Sequence, residues 1–116
     1  MLNAAAWSVE FYLDDRGASP VELYLESLQP TGRGSMLSAI KLLAAYGVQL
    51  KMPHARRVEG ALWELRAGAG RVFYFVAHGR RCVLLHGYRK KTQRAPRREV
   101  NEARRRMERW LAREEE

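Results

Sequence analysis

The sequence predicts a single α+β domain in which an antiparallel sheet packs against helices, in the order β-α-α-β-β-β-α. Three observations lead there. The chain has 116 residues, 47% of them hydrophobic, which is the size of one ordinary domain with a core of its own. Its apolar residues recur with period two near the N-terminus and again from Leu62 to Tyr88, and with helical period elsewhere. The β-like runs in the second half are joined by connections short enough for antiparallel hairpins.

Trp7 to Leu13 alternate, with Val9, Phe11 and Leu13 on one side and Ser8, Glu10 and Tyr12 on the other, so this run reads as a strand with one buried face. Asp14 to Gly17 form a turn. Ser19, Pro20 and Glu22 fit the N-cap, N1 and N3 positions of a helix that carries Val21, Tyr24, Leu25 and Leu28, and Pro30 stops it. A second helix is expected from about Gly34 to Tyr46, presenting Met36, Leu37, Ile40, Leu43 and Ala44, with Gly47 ending it. Residues 48–60 read as a connection that holds Pro53, His54, Arg56, Arg57 and Gly60. Strands follow over Leu62 to Arg66, Arg71 to Ala77 and Arg81 to Tyr88. A basic loop (Arg89, Lys90, Lys91, Thr92, Gln93, Arg94) leads to Pro96 and a last helix to about Arg113, whose apolar stripe is Val100, Ala103, Met107, Trp110 and Leu111. All helices are expected against one face of the sheet.

Several classes of function are set aside. No run reaches the ~20 apolar residues of a membrane span, and the N-terminus does not read as a signal peptide, so the expected setting is cytoplasmic. The single cysteine, Cys82, excludes a disulfide framework within the chain, and three scattered histidines make a poor metal site, so neither metal nor cofactor is expected.

Charge is the first pointer to function. The net charge is +8, and 17 of the 21 cations are arginine. Residues 51–98 hold 13 basic and 2 acidic groups, a net +11, whereas residues 1–50 and 99–116 are slightly acidic. So localised a field attracts polyanions, and arginine grips phosphate bidentately. A hairpin at Gly68–Gly70 brings Arg66 and Arg71 together, and Lys90, Lys91 and Arg94 leave the last strand beside them. His54 and Tyr88 are candidate proton handlers, Tyr88 also a stacking group. The alternative for Arg66 and Arg71 is surface pairing with Glu64 or Glu59, worth under about 1 kcal/mol a pair.

The runs Leu62-Trp63-Glu64-Leu65-Arg66, Arg71-Val72-Phe73-Tyr74-Phe75 and Leu84 to Gln93 (LLHGYRKKTQ) resemble the RelE/ParE toxin superfamily, especially its HigB-like branch with a phage-derived-protein signature. Pro96 to Glu102 (PRREVNE) is similar to that branch's entry into its last helix. The resemblance spans about residues 7–112, and residues 1–116 read as one RelE-like domain. It implies the toxin of a type II toxin–antitoxin system, neutralised by an antitoxin with a helix-turn-helix, HigA-like domain. It further implies ribosome-dependent mRNA cleavage by attack of a ribose 2′-hydroxyl on the adjacent phosphate, leaving a 2′,3′-cyclic phosphate. Carried over by position, Arg66, Arg71, Lys90, Lys91 and His54 form the catalytic set. Arg56, Arg57, Tyr88, Arg89 and Arg94 form the RNA and ribosome contacts. A ParE-like inhibitor of DNA gyrase and a non-catalytic nucleic-acid-binding protein are the competing expectations, since the sequence displays no clean pair of acid and base.

Overall fold

Residues 70–77 (GRVFYFVA) are apolar on both faces, and a strand of that composition needs cover on both sides. The computed structural model, which describes residues 6–115, supplies it. The elements run β1 (Ser8–Phe11), α1 (Pro20–Glu26), α2 (Pro30–Tyr46), a 3₁₀ turn (Gly47–Gln49), β2 (Ala55–Glu59), β3 (Leu62–Ala67), β4 (Gly70–Ala77), β5 (Arg81–Arg89) and α3 (Arg97–Glu114). One five-stranded sheet has the order β1-β5-β4-β3-β2. The α+β class and the order of elements are as the sequence predicts, with one strand added.

That strand, β2, lies where the sequence reads as a connection. It is an edge strand with two exposed arginines, and a bulge between Arg57 and Glu59 interrupts the alternation that would reveal it. The sheet is antiparallel except at its other edge, where β1 pairs parallel with β5. Pro30 both ends the first helical run and opens α2 at the N1 position, so the second helix starts four residues earlier than expected. Ser19 caps α1 as predicted, its hydroxyl accepting from the Glu22 N–H at 3.1 Å. Gly47 ends α2 at φ +52°, and a Cβ there would overlap the Trp7 ring.

The helices divide between the two faces, contrary to the one-sided packing expected. Val21, Leu25, Met36 and Leu43 of α1 and α2 bury Leu65, Val72, Tyr74 and Leu84. On the opposite face Val100, Ala103 and Trp110 of α3 bury Phe73, Phe75, Val83 and Leu85. Trp110 meets Phe75 edge-on at 5.5 Å between centroids. Each such side chain contributes roughly 1.5–3 kcal/mol on burial. This apolar stripe therefore docks α3 more firmly than its surface ion pairs do, at under about 1 kcal/mol each. No helix among the described residues is long and apolar enough to cross a membrane.

Candidate functional site

The β3–β4 hairpin turns at Gly68 (φ +58°) and sets Arg66 directly opposite Arg71, which in turn lies opposite Tyr88 on β5. Alternation along β3 sends Leu65 to the α1/α2 core and Glu64 and Arg66 to the other face. At the hairpin end of that face a concavity of about 500 Å³ is lined by Arg56, Arg66, Arg71, Lys90, Lys91, Thr92 and Gln93, and no residue of α3 contributes. The exit loop is fixed over it by the Lys90 N–H donating to the Ala69 carbonyl at 2.7 Å. A separate cavity of about 230 Å³, between Val48, Leu50, Ala61, Trp63, Tyr74 and Val76, is walled by apolar and aromatic side chains and offers no charged group for chemistry.

Arg71 is buried, and its Nη1 donates to the carbonyls of Gly68 (2.7 Å) and Gly70 (2.8 Å), which clamps the guanidinium against the turn. Arg66 is half-buried, and its Nη1 contacts the Met52 sulfur at 2.8 Å. Burial lowers Arg71 and Lys90 below their ordinary values. At Lys90 the cations Arg56, Arg71 and Arg66 lower it further, and Glu64 opposes them. The expected pairing of Arg71 with an acid exists, but in the interior: the fully buried Glu64 lies 3.9 Å from Arg71 Nε and 3.4 Å from Arg56 Nη2. Glu59 instead pairs with Arg97 and Arg104.

The remaining predicted site residues are spread around this concavity. His54 lies in the exposed turn before β2; its carbonyl accepts from the Arg66 N–H at 2.9 Å, and its ring is not among the groups lining the concavity. Arg57 and Arg94, together with Arg56 and Arg97, line a second groove of about 520 Å³ along β2. Arg89 is on the other side of the hairpin, facing Tyr24 and the start of α2. The Tyr88 ring is 6% exposed and stacks on Phe73 at 5.3 Å, so its face is taken by the core; burial pushes its hydroxyl up to about 12.

Sequence reasoning missed Glu64 as a site residue, Thr92 and Gln93 as lining residues, and the setting of His86. Arg106 Nη1 donates to His86 Nδ1 at 2.9 Å, so the ring proton is on Nε2, which donates to Glu99 at 2.6 Å. His86 thereby ties α3 to β5. The signal for Glu64 was a lone acid inside the apolar run Leu62–Leu65, at the same side of the strand as Arg66. Among the described residues no three His, Cys, Asp or Glu side chains gather as a metal site would require.

Compared with known proteins, residues 23–108, from α1 into α3, match the model of the family described as Phage derived protein Gp49-like (DUF891). That family is RelE/toxin-like and is associated with the toxins of toxin–antitoxin pairs. No curated protein matches the chain.

Proposed function

The chain belongs to the Gp49-like family of phage-derived proteins, and on that premise we propose that it is the toxin of a type II toxin–antitoxin pair that cleaves mRNA on the ribosome. The observation that carries this reading is the convergence of five cations, Arg56, Arg66, Arg71, Lys90 and Lys91, on one concavity whose lining holds no acid. Such a site suits a phosphodiester, whose charge grows as a fifth oxygen approaches phosphorus.

In the proposed reaction the ribose 2′-oxygen bonds to the adjacent phosphorus and the bond from phosphorus to the 5′-oxygen breaks. A proton leaves the 2′-hydroxyl and another reaches the departing 5′-oxygen, giving a 2′,3′-cyclic phosphate and a 5′-hydroxyl. Arg66 and Arg71 hold the phosphate oxygens, with Arg71 pre-set by its clamp on the hairpin carbonyls. Lys90, lowered by burial and its cationic neighbours, is the lining group best suited to exchange a proton at Nζ, and Lys91 adds charge at the rim. His54, in the exposed turn before β2 and outside the lining, is given no step in this reaction. Arg57 and Arg94, along the β2 groove, and Arg89, beyond the hairpin, extend the cationic surface toward mRNA and ribosomal RNA. The neutralising partner is a HigA-like antitoxin with a helix-turn-helix domain.

Primer extension on an mRNA in a purified translation system tests this reading, with an Arg66→Ala/Lys90→Ala variant beside the wild type. Ribosome-dependent, codon-phased cuts that vanish in the variant are expected. No cuts together with inhibition of gyrase supercoiling would replace it with the ParE-like reading. No cuts with salt-sensitive RNA binding would leave a nucleic-acid-binding protein without catalysis.

A further inference from the structure

Behind the cations of the concavity lies an acid that the proposed reaction does not use. Glu64 is 0% exposed on β3, with Arg56 opposite it on β2 and Phe73 opposite it on β4. Neither carboxylate oxygen has a hydrogen-bond partner, although Arg56 and Arg71 approach one of them to 3.4 and 3.9 Å. Arg66 Nε, Arg71 Nε and the Tyr88 hydroxyl, at the same end of the sheet, are also buried without a partner. Burying an ionised carboxylate between Leu62 and Leu65 is costly unless opposite charge is close, so an apolar residue would fill this position at less expense if packing were its only task. The contacts Glu64 makes are coulombic, which leaves the guanidinium donors of Arg56 and Arg71 unspent on it.

We propose that Glu64 is a positioning residue of this site: an internal counter-ion that holds Arg56 and Arg71 in place from behind the concavity. The inference rests on the reading of the concavity as a phosphodiester site. Arg71 is then gripped from two sides, by the hairpin carbonyls at Nη1 and by Glu64 near Nε. Arg56, whose side chain is 44% exposed, has Glu64 as its buried anchor. The charged and titratable groups around Lys90 are Arg56 from β2, Glu64 and Arg66 from β3, Arg71 from β4, Arg89 and the neutral Tyr88 preceding it on β5, and Lys91 following it. Of those acting on Lys90, Glu64 supports its protonated form while Arg56, Arg71 and Arg66 oppose it. Neutralising Glu64 therefore lets Lys90 release its proton at lower pH.

The test compares wild type with Glu64→Gln and Glu64→Asp in the full chain. Lysine amines are ¹³C-methylated, which preserves their charge, and titrated by NMR; the chain has four lysines, and Lys90→Arg identifies the signal. In Glu64→Gln the Lys90 midpoint is expected to fall, with Lys41 and Lys51 unmoved and Glu64→Asp intermediate. The Nε–H signals of Arg56 and Arg71 are expected to collapse toward free-arginine positions. On the ribosome, kcat should fall tenfold or more with KM within threefold, and the pH–rate limb belonging to Lys90 should move the same way as its titration. An unmoved Lys90 titration, with retained arginine signals and kcat within twofold of wild type, overturns the proposal even if the melting temperature drops. Should Glu64→Gln not fold, the Arg56 and Arg71 Nε–H signals and kcat of Glu64→Asp decide by the same criterion. If wild type does not cleave RNA at all, the cleavage reading fails while the Arg56 and Arg71 signals still judge Glu64.

Discussion

Along α3 the arginines have carboxylates of their own: Arg97 and Arg104 meet Glu59, Arg105 and Arg106 meet Glu102, and Arg109 and Arg113 meet Asp15. At the hairpin end of the sheet Arg66, Lys90 and Lys91 have no acid within ion-pair distance among the described residues, and Arg56 and Arg71 share the one buried Glu64. Both regions are dense in cations, yet only one projects uncompensated charge. A polyanion gains little at α3, where each new contact must displace an internal one, and gains fully at the sheet end. Net charge alone therefore does not locate a phosphate site; the distribution of the acids does.

Removing the sheet-end charge should have the largest effect. An Arg66→Gln/Lys90→Gln/Lys91→Gln variant is expected to bind a single-stranded RNA oligonucleotide about 100-fold more weakly at low salt, measured by fluorescence anisotropy. Its melting temperature should stay close to that of wild type, because Lys91 is exposed and Arg66 and Lys90 are only partly buried. The α3 side breaks differently. His86→Ala removes the tie from β5 to Glu99 and Arg106, and should cost about 1–3 kcal/mol in urea unfolding with RNA affinity retained.

Two smaller effects sharpen the contrast. Glu59→Gln releases Arg97 and Arg104 beside the β2 groove, so it should raise RNA affinity by about two- to threefold at low ionic strength, a gain that fades as salt screens it. Arg104→Gln/Arg109→Gln should change RNA affinity by less than about twofold, while lowering stability by under about 1 kcal/mol per lost pair. A loss comparable to that of the sheet-end variant would erase the distinction between the regions.

Much of this was legible in the sequence. The excess of cations in residues 51–98, 13 against 2 acids, marked the segment that carries the cationic concavity. The acids that meet the α3 arginines, Glu59 and Asp15 among them, lie mostly outside α3, so that compensation was not legible in its own run. The facing of Arg66 and Arg71 followed from the glycines of the hairpin. What escaped depends on three-dimensional pairing. The β2 strand was hidden because a bulge and two exposed arginines break its alternation. The two-sided packing was signalled by the unbroken apolar run in β4, a signal that one-sided alternation elsewhere outweighed. His54 drew attention because histidine suits proton transfer near neutrality, and residue type alone does not say which residues a fold gathers around one concavity. Glu64 escaped because its signal, a lone acid within Leu62–Leu65 on the side of Arg66, does not say how deeply the strand buries it or that Arg56 of the unrecognised β2 lies opposite.

The most direct test of the acid-poor sheet end as the nucleic-acid site is the salt dependence of RNA binding in wild type, the sheet-end variant and the α3 variant. The slope of log K against log salt should flatten by about 2 in Arg66→Gln/Lys90→Gln/Lys91→Gln, near 0.7 for each lost phosphate contact, and stay unchanged in Arg104→Gln/Arg109→Gln. Equal slopes in wild type and the sheet-end variant, or a flattened slope in the α3 variant, would contradict it.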